Sequence, residues 1–229
     1  MSTTQSSDDF WGSFVDFRSP KELFPITPSQ KQAIQEMVDG RDKNKPVFIY
    51  IEDSAEHAEK FIEDEAPLLA KIVSETNIML TVPGKVNSTE KDSLKSTTLK
   101  LFPTSTPGEI IYLAELLEQE GSDSIWCVDI NINKLFNNIL SPEEISNFNT
   151  LGLVEYLLTN VITTKKAVFF FYTLSADSGD QSIANLRKTL SDLGLAFDLK
   201  MIEKKSEKGE PSKLLLSEIG MAMQKFGIE

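Results

Sequence analysis

The sequence is poor in the residues that most directly carry chemistry. A single cysteine, Cys127, stands among 229 residues, which excludes an internal disulfide framework and suits a reducing compartment. A single histidine, His57, excludes zinc sites built from several His or Cys ligands and leaves a Ser-His-Asp arrangement with one base. His57 is flanked by Glu56 and Glu59 and reads as a surface residue. No apolar run is long enough to span a bilayer. The opening residues, Met1 to Asp9, show no basic stretch followed by an apolar one, so no signal peptide is expected. Glycine is also missing where nucleotides would need it. No G-x-x-x-x-G-K-[ST] occurs, and the turn after the first apolar run carries Glu52-Asp53-Ser54, which repels a pyrophosphate.

Positive charge is scarce as well. Thirty-five acidic residues oppose 23 basic ones, for a formal net charge of −12. Such a field repels phosphate backbones, so nucleic-acid binding is not expected; the acidity either suits a protein partner with a basic surface or serves solubility alone. Cys127 lies within an apolar run, where cysteine acts as a small hydrophobe. Neither a cofactor nor a metal is expected.

What is present is a repeated alternation of strand and helix. Apolar runs at Val47–Ile51, Ile78–Val82, Leu99–Phe102, Ser124–Ile130, Ala167–Tyr172 and Phe197–Ile202 read as strands. The run Ala167–Tyr172 is the most hydrophobic and is expected at the centre of the sheet. Asp198 and Lys200 alternate with apolar residues in the last run, which places it near an edge. Between the strands lie helical patterns. Thr27-Pro28-Ser29-Gln30, Thr106-Pro107-Gly108-Glu109 and Ser141-Pro142-Glu143-Glu144 each pair a capping hydroxyl with Gln or Glu three residues on. Gly40, Gly121 and Gly194 close helices. Ala55 to Val73 is helix-patterned, with a bend expected at Pro67, and Leu214 to Phe226 is a terminal helix. Residues 85–98 read as a polar excursion.

The expected fold is a three-layer α/β domain: a mainly parallel sheet of about five strands with helices on both faces, flavodoxin-like or degenerate receiver-like. The chain divides into a flexible aromatic-rich arm, residues 1–25, and a single domain, residues 26–229. In such sheets ligands sit at the carboxyl ends of the strands. Those ends offer Glu52, Asp53 and Ser54, then Pro83 and Gly84, Asp129 and Asn131, and Thr173, Ser175 and Asp177.

The strand ends Ile51-Glu52-Asp53-Ser54, Val128-Asp129-Ile130 and Tyr172-Thr173 together resemble a response-regulator receiver domain. The resemblance implies Mg²⁺ held by Glu52 and Asp53, phosphate accepted by Asp129 and reported by Thr173. Two features depart from that family. Asp53 and Asp129 are 76 positions apart, beyond the usual receiver spacing, and no Lys-Pro follows the last strand.

Phe10, Phe14 and Phe17 fall at i, i+4 and i+7 with Trp11 beside them, so a helix there carries an aromatic face. Such a face either docks on its own domain or enters a partner's groove. The leading expectation is a non-enzymatic protein-binding adaptor or accessory subunit of a larger cytosolic assembly, a class that includes bacterial secretion-machine adaptors and chaperones. Phe10, Trp11, Phe14 and Phe17 are its candidate partner-binding residues; the terminal helix around Met221, Met223 and Phe226 either offers a second surface or packs into the core. The alternatives are a receiver-like or pseudo-receiver signalling domain and an enzyme of unknown substrate.

Overall fold

The computed structural model describes residues 20–51, 77–82, 99–103, 106–129, 150–163, 167–173, 180–195, 198–203 and 213–225. Six strands form one sheet: β1 (Val47–Ile51), β2 (Asn77–Val82), β3 (Leu99–Pro103), β4 (Ser124–Asp129), β5 (Ala167–Thr173) and β6 (Asp198–Glu203). Every pairing is parallel, and the order across the sheet is β3-β2-β1-β4-β5-β6. This doubly wound order reverses direction between β1 and β4. Without β3, the other five strands stand in the 2-1-3-4-5 order of flavodoxin-like sheets, so β3 is an additional edge strand beside β2. It falls between Asp53 and Asp129 in the chain, and its addition lengthens the interval between them.

One expectation of position is corrected. The most apolar strand, β5, is not central; it stands one place in from the edge strand β6, and the central pair is β1 with β4. Hydrophobicity here reports that both faces are covered, which holds for β5 as much as for the middle strands. The edge position expected for β6 is observed.

Among the described residues the helices are α1 (Pro20–Leu23), α2 (Pro28–Asp39), α3 (Pro107–Gln119), α4 (Thr150–Tyr156, continuing as a π-turn over Leu157–Val161), α5 (Asp180–Asp192) and α6 (Lys213–Lys225). Side chains alternate across the sheet. Val47, Ile49, Ile51, Trp126, Val128, Phe169, Phe171 and Leu199 form one core cluster with residues of α2, α3, α4 and α5. Phe48, Tyr50, Ile78, Ile125, Cys127 and Phe170 are buried on the opposite face. Lys200, in register with Phe170, pairs with Glu218 of α6, which places α6 on that second face. Helices therefore cover both faces of the sheet.

Trp126 and Phe169 are register partners whose rings stack at 5.5 Å with 6° between planes. The buried indole N–H donates to Ser124 Oγ at 2.9 Å, which removes the cost of an orphaned donor. Helices α3 and α5 end alike. Gly121 (φ 66°) and Gly194 (φ 72°) adopt the left-handed conformation, and the next residue donates back across five positions: Ser122 to Leu117 and Leu195 to Leu190. Leu193 lies just beyond the end of α5 and is exposed.

The expected arm boundary at residue 25 meets a packed segment. Phe24 is 1 % exposed within the core, and Lys21 pairs with Glu115 of α3. Gly108 permits this approach, since a Cβ there would lie 2.0 Å from the Phe24 carbonyl oxygen. Several expectations fall outside the described residues: the aromatic face of residues 10–17, the Pro67 bend, the excursion 85–98 and the capping box at Ser141.

Candidate functional site at the carboxyl edge of the sheet

In a doubly wound sheet the crevice opens where strand order reverses, here at the carboxyl ends of β1 and β4. Helix α3 is joined to β4 through the short stretch 120–123, so its carboxyl end lies at the opposite edge and its amino end at this one. The same geometry brings α2, which precedes β1, into line beside it.

Both helix starts carry the expected capping residues, and they are tied together. Thr27 Oγ1 accepts from Gln30 N at 3.2 Å while Gln30 Oε1 accepts from Thr27 N at 2.8 Å, a complete box. At α3 only the return half is made: Thr106 N donates to Glu109 Oε2 at 2.9 Å, and Thr106 Oγ1 is buried without a partner. Glu109 Oε1 accepts from Gln30 Nε2 at 3.0 Å, linking the two boxes. Glu109 is 3 % exposed, so its carboxylate fills the positive end of α3 from within the protein. An external anion finds that position taken.

Asp129 is the last residue of β4 and is 6 % exposed. Thr173 is the last residue of β5, adjacent to β4. The structure thus brings the ends of β1, β4 and β5 side by side. Glu52, Asp53, His57, Phe10, Trp11, Phe14 and Phe17 lie outside the described residues. Among the described residues no group of three or more His, Cys, Asp or Glu side chains is placed to hold a metal ion, and no helix is long and apolar enough to cross a membrane.

A second set of polar residues sits at the opposite, amino edge. Arg41, 7 % exposed, donates to Val38 O and Ser122 Oγ, each at 2.7 Å, and pairs with Glu120. Asn77, at the start of β2, holds the loop before β1. Its Oδ1 accepts from Asp42 N at 2.9 Å, and its Nδ2 donates to the carbonyls of Asp42 and Lys45 at 2.8 and 3.2 Å. Along the chain, residues 41–45 show only as a charged stretch between α2 and β1. The cluster is not legible there because its members come from three separate segments, the loop before β1, the start of β2 and the loop before β4; the only local signal is three cations, Arg41, Lys43 and Lys45, at alternate positions.

Side chains around the π-turn of α4 bond to its own backbone and to a side chain of α3. Thr159 Oγ1 donates to Glu155 O at 2.8 Å, and Thr163 donates to Glu118 Oε1 through both N and Oγ1. Burial raises the Glu155 carboxyl above its ordinary value. Burial also raises the Tyr156 hydroxyl, with Lys21 opposing and Glu115 adding to the shift. Lys21 is raised chiefly by its hydrogen bond to Glu115.

No family model, curated protein or solved structure matches this chain. Its fold defines its class: a doubly wound, parallel α/β protein with one extra edge strand.

Proposed function

We propose that this chain is a non-enzymatic adaptor or accessory subunit of a larger cytosolic assembly, which it joins through a protein partner with a basic surface. The observation that carries this reading is the aromatic spacing of Phe10, Trp11, Phe14 and Phe17 directly ahead of a body whose first helix is anchored by Phe24. Aromatic anchors contribute most of the binding energy in interfaces of this kind. The net charge of −12 adds long-range attraction to a basic partner. Exposed Met221, on the outer side of α6, is a second adaptable contact.

The test compares the full chain with a variant carrying Phe10→Ala, Trp11→Ala, Phe14→Ala and Phe17→Ala. Affinity purification from the native cell identifies the protein that accompanies the full chain, and the purified pair is then titrated directly. Loss of binding with an unchanged unfolding midpoint supports the reading. Binding that survives the four substitutions removes it.

The strand order favours a second reading, a receiver-like domain with Asp129 as acceptor, because β1, β4 and β5 are neighbours and Asp129 ends the middle strand. Incubation with a small phosphodonor and Mg²⁺ then adds one phosphoryl group to the full chain and none to Asp129→Asn. An unchanged mass in the full chain removes this reading.

A further inference from the structure

We infer that the cavity at the amino edge of the sheet binds a phosphate dianion. The cavity has a volume of about 380 Å³ and is lined by Arg41, Lys43 and Lys45 together with Glu120, Ser122 and Asp123. Three cationic residues thus line one opening beside two acidic ones, in a protein whose overall charge is strongly negative.

Arg41 is the most buried of the three. Its guanidinium is enclosed, and its two terminal nitrogens are engaged by Val38 O, Ser122 Oγ and Glu120, yet the Nε proton is buried without an acceptor. The Nε has no accessible surface, so an incoming anion reaches Arg41 only at the terminal nitrogen that Glu120 holds. Glu120 occupies the position of an anion here: Arg41 and Lys43 both pair with it, the latter at 3.5 Å. It acts as an internal counter-ion that an incoming dianion displaces. A second negative charge on the ligand is what lets it outcompete a single carboxylate, and a tetrahedral group offers oxygens to both the guanidinium fork and the ammonium groups.

The site is held ready for this. Asn77 pins the loop at Asp42 and Lys45, Asp42 Oδ1 accepts from Asn44 N at 3.0 Å, and Gly121 makes the turn that brings Ser122 to Arg41. Such preorganisation lowers the cost of binding. The cavity exceeds the size of a phosphate group, which leaves room for the organic part of a phosphate monoester. It lies at the sheet edge opposite the crevice, so the inference is independent of the adaptor reading.

The experiment titrates the full chain with inorganic phosphate and, separately, with O-phosphoserine, at ionic strength held constant with sodium chloride. Amide chemical shifts of Gly121 and Ser122 and the unfolding midpoint are the readouts. Saturable shifts are expected, with a rising midpoint. Lys43→Ala and Lys45→Ala each weaken binding about ten-fold while retaining the fold. Glu120→Gln strengthens phosphate binding, because the competing carboxylate is gone. Tighter binding of O-phosphoserine than of phosphate identifies a monoester as the ligand; equal or weaker binding identifies the free anion. Shifts that do not saturate, that chloride reproduces, or that persist unchanged in all three variants overturn the inference.

Discussion

Gln30 and Glu109 are the third residues of two neighbouring helices, and their side chains meet at 3.0 Å. Each also reaches back to the backbone N–H of its own capping threonine, at 2.8 and 2.9 Å respectively. Two local capping devices are thereby joined into one network at the carboxyl edge of the sheet. Glu109→Ala leaves the Thr106 N–H and the Gln30 amide without their acceptor in a buried place, and the expected loss is about 1–3 kcal/mol. Gln30→Ala costs about 1 kcal/mol. A double-mutant cycle in urea is expected to give a coupling of about 0.5 kcal/mol or more. Strictly additive single effects would show that the link between the boxes contributes nothing.

Two glycines in helices should respond in opposite directions. Gly108→Ala places a Cβ 2.0 Å from the Phe24 carbonyl oxygen, backbone that must move, and the expected cost is about 1–3 kcal/mol. Gly220→Ala in α6 meets nothing within 4 Å and is expected to stabilise by about 0.5–1 kcal/mol. Unfolding midpoints of the two variants check both signs.

Asn77 ties β2 to the loop before β1 with three hydrogen bonds. Asn77→Ala is expected to cost about 1–3 kcal/mol. Asn77→Asp should recover none of it at neutral pH, because the amide nitrogen faces two carbonyl oxygens that a carboxylate repels. Equal stability of Asn77→Asp and the parent protein in denaturant titrations would contradict the assignment.

Glu155 predicts a pH dependence. Burial raises its carboxyl above the ordinary value of 4.5, so the folded state holds that proton more tightly than the unfolded state. The stability linked to this group is complete below pH 4.5 and declines as pH rises through the higher folded value. Glu155→Gln, which cannot ionise, is expected to match the parent protein in acid and exceed it at neutral pH. An equal effect at both pH values would assign the difference to packing.

The capping boxes at Thr27 and Thr106 were readable because their partners lie three residues apart, and a hydroxyl followed by Gln or Glu at that spacing acts before any tertiary contact forms. The strand runs were readable for a similar reason, since unbroken apolar stretches such as Val47–Ile51 declare burial on both faces. The candidate site was legible only in part. Asp129 was identified as a strand end, but Glu109, one of the most buried carboxylates, read simply as a helix-start residue. Nothing in its neighbourhood announces Gln30, which stands 79 positions away.

By itself the sequence determined the parallel α/β class, the starts of α2 and α3, the glycine ends of α3 and α5, and a formal net charge of −12. These follow from spacing and composition, which act through neighbours along the chain. Tertiary structure decided the strand order, the inner place of β1 and β4, the entry of Phe24 into the core beside Gly108, and the convergence of Arg41, Asn77 and Glu120 at the amino edge. The crossovers and loops that produce these contacts join residues distant in sequence, so their identity depends on the packed sheet.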